Sequence, residues 1–331
     1  MQNILLTNAG KRVALVRDFK QSFKGQGKIV VTDNWSVAPA LFVADEYYLT
    51  ARIDEKNYIK DILEICEQAE IKAITSLMDP DISVLAGARE VLTNKGILCL
   101  FPSEHTAGRC LDKYKMFQFL KESRIPTIAT FFDYADFMAA YQKGEIDFPV
   151  FIKPKSGSGS VGAQKVYTDA ELQLILKNAA QPYIIQEFIE GMDIDADVYV
   201  DAISHQVVSI FLKEKIERMI GGTSKAISIK DTVLFEKIKQ ICGHFEFCGP
   251  VDLEFLQVGS EYYLYDINPR FSGAYLHAYA CGVDFPKLIL NNIRGKVNPS
   301  QVGEYETGQI MMLYPDVALV SKHDLKRDYR D

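Results

Sequence analysis

Over the first hundred residues, short apolar runs alternate with amphipathic stretches. Asn3–Thr7 reads as a buried strand, Val13–Phe23 as a helix, Lys28–Thr32 as a second strand and Tyr58–Gln68 as a helix. Ala73–Ser76 is a further strand, Asp81–Lys95 a helix and Ile97–Phe101 a strand. Strands separated by helices of this length imply βαβ units and a parallel sheet. An open α/β domain is therefore expected, ending near residue 103.

Ser103 and Glu104 open a helical stretch that Asp112–Ser123 continues, stopped by Ile125-Pro126. Asp133–Tyr141 follows as a helix, Pro149–Lys153 as a strand, Gln164–Tyr167 as a return strand, Asp169–Asn178 as a helix and Tyr183–Gln186 as a strand. Beyond residue 190 the runs lengthen and alternate with period two. Asp195–Asp201, Gln206–Lys213, Val251–Val258 and Tyr262–Ile267 look antiparallel, with helices at Thr232–His244, Ser272–Ala280 and Phe285–Asn292. That is α+β organisation. The charged end, residues 321–331, reads as a solvated tail.

Composition narrows the class. The 331 residues carry 37 Lys+Arg against 44 Asp+Glu, a formal net charge of −7. That balance argues against nucleic acid, whose backbone needs clustered Lys and Arg. Single cores rarely grow past about 250–300 residues, so the length favours two domains. No apolar run reaches the roughly 20 residues that cross a bilayer, and the start has no basic segment of the secretory kind. Six cysteines without a Cys-x-x-Cys pair read as buried free thiols in a cytoplasmic protein.

Chemistry enters at the Gly/Ser run 155–162, between two strands. Its glycines let backbone N–H groups approach phosphate oxygens, and Lys153, at the end of an apolar strand, suits the charge on a nucleotide phosphate. Gln186-Glu187-Phe188-Ile189, at the end of another apolar strand, could form a hinge that reads an adenine edge, with Asp193 on ribose hydroxyls. In Val251–Phe255 the apolar residues face one way, and Asp252 and Glu254 the other. Asp266 and Asn268 share a face by the same period. A two-residue turn at Gly259-Ser260 would pair Glu254 with Tyr265. A three-residue loop, Gly259-Ser260-Glu261, would pair Glu254 with Asp266 and Asp252 with Asn268. The second is expected, because facing carboxylates make sense only with cations between them, and hard oxygen ligands suit Mg²⁺. Arg270, just past Asn268-Pro269, can hold a transferring phosphoryl group. Arg218, beside the turn Gly221-Gly222-Thr223, could close over phosphates or an acid, and His277 could face a substrate, though a core histidine is the commoner role.

In this order the residues resemble the ATP-grasp superfamily, within it the carbamoyl-phosphate-synthase-like carboxylate–amine ligases. Asp112-Lys113 is similar to the lysine that starts the ATP-grasp module. Lys153 and Ser156–Gly162, with Gly157 and Gly159, are similar to its phosphate lysine and flap, and Gln186–Ile189 with Asp193 to its hinge and ribose acid. Glu254, Asp266 and Asn268 fall at the metal positions and Arg270 at the phosphate arginine. Ile4–Arg12 and Asp33–Leu41 resemble the pre-ATP-grasp domain. The family usually has glutamate where Asp266 and Asp193 stand. The resemblance implies an ATP-grasp fold behind a Rossmann-like domain (residues 1–103), with an ATP-grasp domain over 104–320 made of a small lobe, about 126–190, and an antiparallel lobe, about 191–320. It implies ATP and two Mg²⁺ ions, or Mn²⁺, small carboxylate and amine substrates, and room for a homo-oligomer or partner subunit. A non-catalytic ATP-binding or split-synthase subunit is the alternative. An NAD-dependent oxidoreductase, suggested by Gly10 and Asp33, lacks Gly-x-Gly-x-x-Gly.

Overall fold

The structure is a computed structural model that describes residues 1–157, 159, 161–219 and 222–326. Five parallel strands make the first sheet: β1 (Asn3–Thr7), β2 (Ile29–Asp33), β3 (Glu46–Leu49), β4 (Ile71–Ser76) and β5 (Leu98–Cys99), in the order β3-β2-β1-β4-β5. The period of two sorts its side chains. Ile4, Leu6, Ile29 and Val31 pack with Phe19 and Phe23 of the helix Val13–Phe23, while Leu5, Val30 and Ile74 pack with Tyr58, Ile62 and Ile65 of the helix Tyr58–Gln68. A sheet buried on both faces needs such nearly continuous apolar strands. β3 is absent from the sequence reading because Glu46-Tyr47-Tyr48-Leu49 is a half-buried edge strand without strong alternation.

Two expected helices divide. The stretch 81–95 forms Asp79–Gly87 and Arg89–Asn94, broken at Ala88, and starts two residues earlier than expected, with Pro80 in its first turn. The stretch from Ser103 breaks at Asp112, whose extended backbone ends the helix Glu104–Leu111. Its carboxylate caps the next helix, Lys113–Glu122, accepting from Tyr114 N and Lys115 N at 3.1 Å each.

β6 (Thr130–Phe131), β7 (Val150–Pro154), β8 (Gln164–Val166) and β9 (Tyr183–Glu187) form a small antiparallel sheet in the order β6-β9-β7-β8. Phe137, Val150, Ile152, Val166, Leu172 and Ile185 give it a core of its own. The third sheet is β14-β13-β10-β11-β12-β15, from β10 (Met192–Val200), β11 (Val207–Met219), β12 (Gly222–Ile229), β13 (Gly249–Val258), β14 (Glu261–Asn268) and β15 (Ile310–Met312). β11 runs six residues beyond the expected strand end, so Arg218 lies on a strand, not in a turn; Gly221 lies outside the described residues. The expected helix at Ser272 starts only at Tyr275, which leaves Ser272–Ala274 as a loop. Part of the charged end docks: Lys326 Nζ donates to Tyr47 O, while residues 327–331 lie outside the described residues. No helix among the described residues is long and apolar enough to cross a membrane. The six cysteines are free, five of them buried, and burial pushes the Cys66, Cys99 and Cys242 thiols up to about 12.

Candidate active site

A cavity of about 1000 Å³ is lined by residues of the small antiparallel sheet and of the six-stranded sheet. Its lining includes Lys113, Lys153, Ser156, Gly157, Gly159, Gln186, Glu187, Phe188, Ile189, Asp193, Arg218, Glu254, Asp266, Asn268 and Arg270. Of the residues singled out in the sequence, Gly162 is outside this lining. Its φ of +77° and its tight packing on Pro154 and Tyr183 explain a glycine there structurally. Ser158 and Ser160 of the Gly/Ser run lie outside the described residues.

One end of the cavity is apolar, lined by Ile128, Phe151, Ile189 and Leu256. Here the Gln186 amide donates to Thr130 Oγ1 at 2.8 Å, and Glu187 N donates to Ala129 O at 2.9 Å, which fixes the end of β9. The base of the Gly/Ser run is tied down as well. Lys155 pairs with Asp112 at 2.8 Å, and Lys113 Nζ donates to Gly157 O at 2.9 Å. The cap at Asp112 thus starts a helix whose first residue, Lys113, points at both the flap and Asp266, 3.8 Å away.

At the other end, the register between β13 and β14 pairs Glu254 with Asp266 and Asp252 with Asn268, as expected. The route to it differs. Val258 pairs with Glu261, so the turn is the two-residue Gly259-Ser260, with Gly259 at φ +59°. A bulge then leaves Tyr265 as the extra residue between Leu264 and Asp266 and restores the pairing. The bulge also brings the Tyr265 hydroxyl into the site, 2.7 Å from Glu254 and 2.9 Å from Asp193, its one proton shared between the two carboxylates.

Lys215 was missed in the sequence. Its Nζ donates to Glu254 and lies 3.6 Å from Asp193. Burial alone would raise the Glu254 carboxyl, but Lys215 and Tyr265 outweigh it and hold it well below the usual carboxylate range. Arg218 donates through Nε to Asp193 at 2.6 Å, so in this structure it holds the acid singled out for ribose rather than reaching across the cavity. The signal was readable: Asp193, Asp195 and Asp197 alternate on one strand, and Lys213 and Lys215 on the next, with Asp195 directly opposite Lys213.

Lys153, next to last in β7, is 7% exposed and donates to Tyr265 O at 3.3 Å. Burial pushes its ammonium down to about 8, against the pull of Asp266. Arg270 donates to Asp79 Oδ2 at 2.9 Å and lies 3.7 Å from Asp252. Burial opposes its charge, but Asp79 and Asp252 more than offset that. Burial and the adjacent Asp195 push the Asp252 carboxyl well above its ordinary range. Arg12 donates to Ser272 O at 2.6 Å, so the first sheet's β1 turn also holds the loop after Arg270. Asp79 and Arg12, neither foreseen, thus steady Arg270 from the N-terminal part of the chain. Asp33 accepts from Gly10 N at 2.9 Å and from Trp35 N at 3.0 Å, which commits it to the turn and not to a dinucleotide ribose.

His277 belongs to the core. It is 2% exposed, with Nε2 3.0 Å from Gln309 O and its ring edge-on to Phe211. Burial lowers it from 6.5 to about 4. A histidine neutral when folded and protonated when unfolded supports stability fully above pH 6.5, and that support is lost as pH falls toward 4. His277→Gln should therefore lose less melting temperature than the parent between pH 7 and pH 4.5. Parallel melting curves would contradict the assignment.

Glu254, Asp266 and the Asn268 amide are hard oxygen donors paired in register on one cavity wall, a set that fits Mg²⁺ completed by substrate phosphates. Among the described residues no group of three or more His, Cys, Asp or Glu forms a metal site complete in itself.

Residues 4–100 match the PylC-like, N-terminal domain, and residues 110–274 match the ATP-grasp domain. The carbamoyl phosphate synthase large chain of Clostridium acetobutylicum is 24% identical over 289 residues, 82% of this chain and 26% of that one. The chain thus spans about a quarter of the length of that relative. Among solved structures, the ADP complex of N5-carboxyaminoimidazole synthetase from Staphylococcus aureus has a TM-score of 0.75 at 18% identity, over 94% of this chain and 82% of that one. A biotin carboxylase–β-γ-ATP complex from Campylobacter jejuni has a TM-score of 0.72 at 18% identity, over 93% and 74%. Likenesses at that identity establish the shared fold.

Proposed function

Since the chain belongs to the ATP-grasp superfamily, we propose that it is an ATP-dependent carboxylate–amine ligase. The observation that carries this reading is the in-register pairing of Glu254 with Asp266 and Asp252 with Asn268, in one cavity with Lys113, Lys153 and the strand end Gln186–Ile189. The adenine would lie against Ile128, Phe151, Ile189 and Leu256, and Asp193 would take the ribose once Arg218 turns away. Lys113, Lys153 and the flap from Ser156 through Gly157 and Gly159 would hold the phosphates. Glu254, Asp266 and Asn268 would hold Mg²⁺, two ions or Mn²⁺ in its place, which would neutralise phosphate charge.

A carboxylate oxygen attacks the γ-phosphorus while the bond to the β–γ bridging oxygen breaks, releasing ADP and leaving an acyl phosphate. The amine nitrogen then attacks the acyl carbon, the bond to the phosphate oxygen breaks, and the nitrogen loses a proton. For such transfer the protein contributes positioning and charge. Arg270, pre-set by Asp79 and Asp252, supplies a guanidinium where charge develops on the transferring group. The test is phosphate release from Mg-ATP over a panel of carboxylates, each with and without amines. Acid-dependent release supports the ligase, and binding of Mg-ATP without it supports a non-catalytic ATP-binding subunit.

The low Lys153 value adds a pH prediction. Above pH 8 the ammonium of the empty site loses its proton, so phosphate binding must take up a proton. Mg-ATP affinity should fall as pH rises through 8, and Lys153→Arg should flatten that fall in a titration from pH 7 to 9.5. An equal slope in parent and variant would contradict it.

A further inference from the structure

The two acids proposed to hold the metal already have side-chain cations beside them. Both oxygens of Glu254 are engaged. Oε2 accepts from Lys215 Nζ and lies 2.7 Å from the Tyr265 hydroxyl, while Oε1 accepts from the Asn268 amide at 3.3 Å. Asp266 lies 3.8 Å from Lys113. The two lysines differ in what else they hold. Lys113 donates to Gly157 O of the flap, so its charge is tied to the phosphate loop. Lys215 is turned to the acids. It lies 3.6 Å from Asp193 and donates to the Tyr265 hydroxyl at 3.3 Å. It lines the cavity with a side chain only 6% exposed, and it stands within β11, where Ala226 of β12 pairs with it.

An ammonium is a compact point charge, and among carboxylate oxygens it takes the place that a divalent ion would take. The two cannot share Glu254 Oε2, because like charges at contact in a partly buried site repel strongly, and twice as strongly when one of them is divalent. A free metal ion would have to expel Lys215 from the carboxylate. The other acid close to Lys215, Asp193, is already held by Arg218. A nucleotide changes this balance. Its phosphates bring negative charge that accompanies the metal and offers new oxygens to an ammonium on a flexible stem.

We propose that Lys215 is a place-holder for the metal. In the nucleotide-free protein its ammonium fills the cation position at Glu254 and keeps free Mg²⁺ or Mn²⁺ out. The metal enters only together with nucleotide phosphates, which draw the ammonium off the carboxylate. This rests on the reading of Glu254, Asp266 and Asn268 as metal ligands and adds an order of binding to it. The protein then recognises the metal–nucleotide complex as one ligand.

The test measures bound Mn²⁺ on the full chain, with and without ADP, by the loss of the free-ion electron paramagnetic resonance signal. Without ADP, Lys215→Gln should bind Mn²⁺ at least about 10-fold more tightly than the parent, as expected when a repelling charge is removed. Lys215→Arg, which keeps the charge, should exclude the ion as the parent does. Adding Glu254→Gln to Lys215→Gln should abolish the gain, which places the new ion at Glu254. If Lys215→Gln does not fold, Lys215→Met is read in its place. If neither folds, the parent decides: Mn²⁺ bound only with ADP supports the place-holder, and Mn²⁺ bound as tightly without it overturns it. Equal Mn²⁺ affinity in the parent and a folded Lys215→Gln, a gain in Lys215→Arg, or a gain that survives Glu254→Gln also overturns it, leaving the ligase reading intact. Failure of Mn-ADP to bind the parent removes both.

Discussion

Glu254→Gln should lower acid-dependent phosphate release by about 10³-fold, the scale for removing a charge that acts on the transferring group. The carboxylate sits at the centre of the site. It faces Asp266 across the β13–β14 pair and accepts from Lys215, Tyr265 and Asn268. Glutamine keeps the shape and one acceptor oxygen but removes the charge. Lys215 then keeps Asp193, 3.6 Å away, and the more distant pull of Asp195. Mg-ATP affinity should fall with turnover, because the same oxygens are proposed to hold the metal–phosphate complex. Tyr265→Phe removes the hydroxyl but no charge and should cost far less. Steady-state phosphate release and Mg-ATP titration of both variants check this. Similar losses in the two would mean that geometry, and not the charge of Glu254, matters.

Arg270→Lys should lower turnover by about 10²-fold while the Michaelis constant for ATP stays within a few-fold, the pattern of an interaction made mainly in the transition state. Lysine keeps the charge but not the planar fork that reaches Asp79, Asp252 and the Phe271 carbonyl. Asp79→Asn tests the support separately. It leaves the guanidinium in place but removes the charge that fixes it from the N-terminal sheet, and it should give a smaller loss of the same kind. Because partly unmaking a buried ion pair costs up to about 3–5 kcal/mol, both variants should also melt earlier. A Michaelis constant that rises in step with the fall in turnover would move Arg270 to ground-state binding.

Much of this was readable in the chain. The parallel sheet declared itself through strands apolar on both faces, and the large sheet through long runs alternating with period two, such as Asp195–Asp201 and Val251–Val258. The pairing of Glu254 with Asp266 followed from the chemistry of facing carboxylates. The bulge at Tyr265 did not, because a turn of two residues plus a bulge gives the same pairing as a turn of three. Sequence period cannot distinguish the two, and only the bulge places the tyrosine hydroxyl in the site. Asp79 and Arg12 were hidden for another reason. They act across 191 residues, and 260 residues, of chain, and nothing local in a helix start or a strand turn names such a partner. The long β11, which makes Arg218 a strand residue, was obscured by Lys213, Glu214, Lys215 and Glu217, charges more typical of a turn.

The most direct measurement follows an oxygen atom. The protein is incubated with Mg-ATP, amines and a pool of small carboxylates labelled with ¹⁸O, and the released phosphate is weighed by mass spectrometry. Activation through an acyl phosphate predicts ADP together with phosphate carrying one ¹⁸O from the carboxylate. Unlabelled phosphate only, or AMP with pyrophosphate, would contradict it.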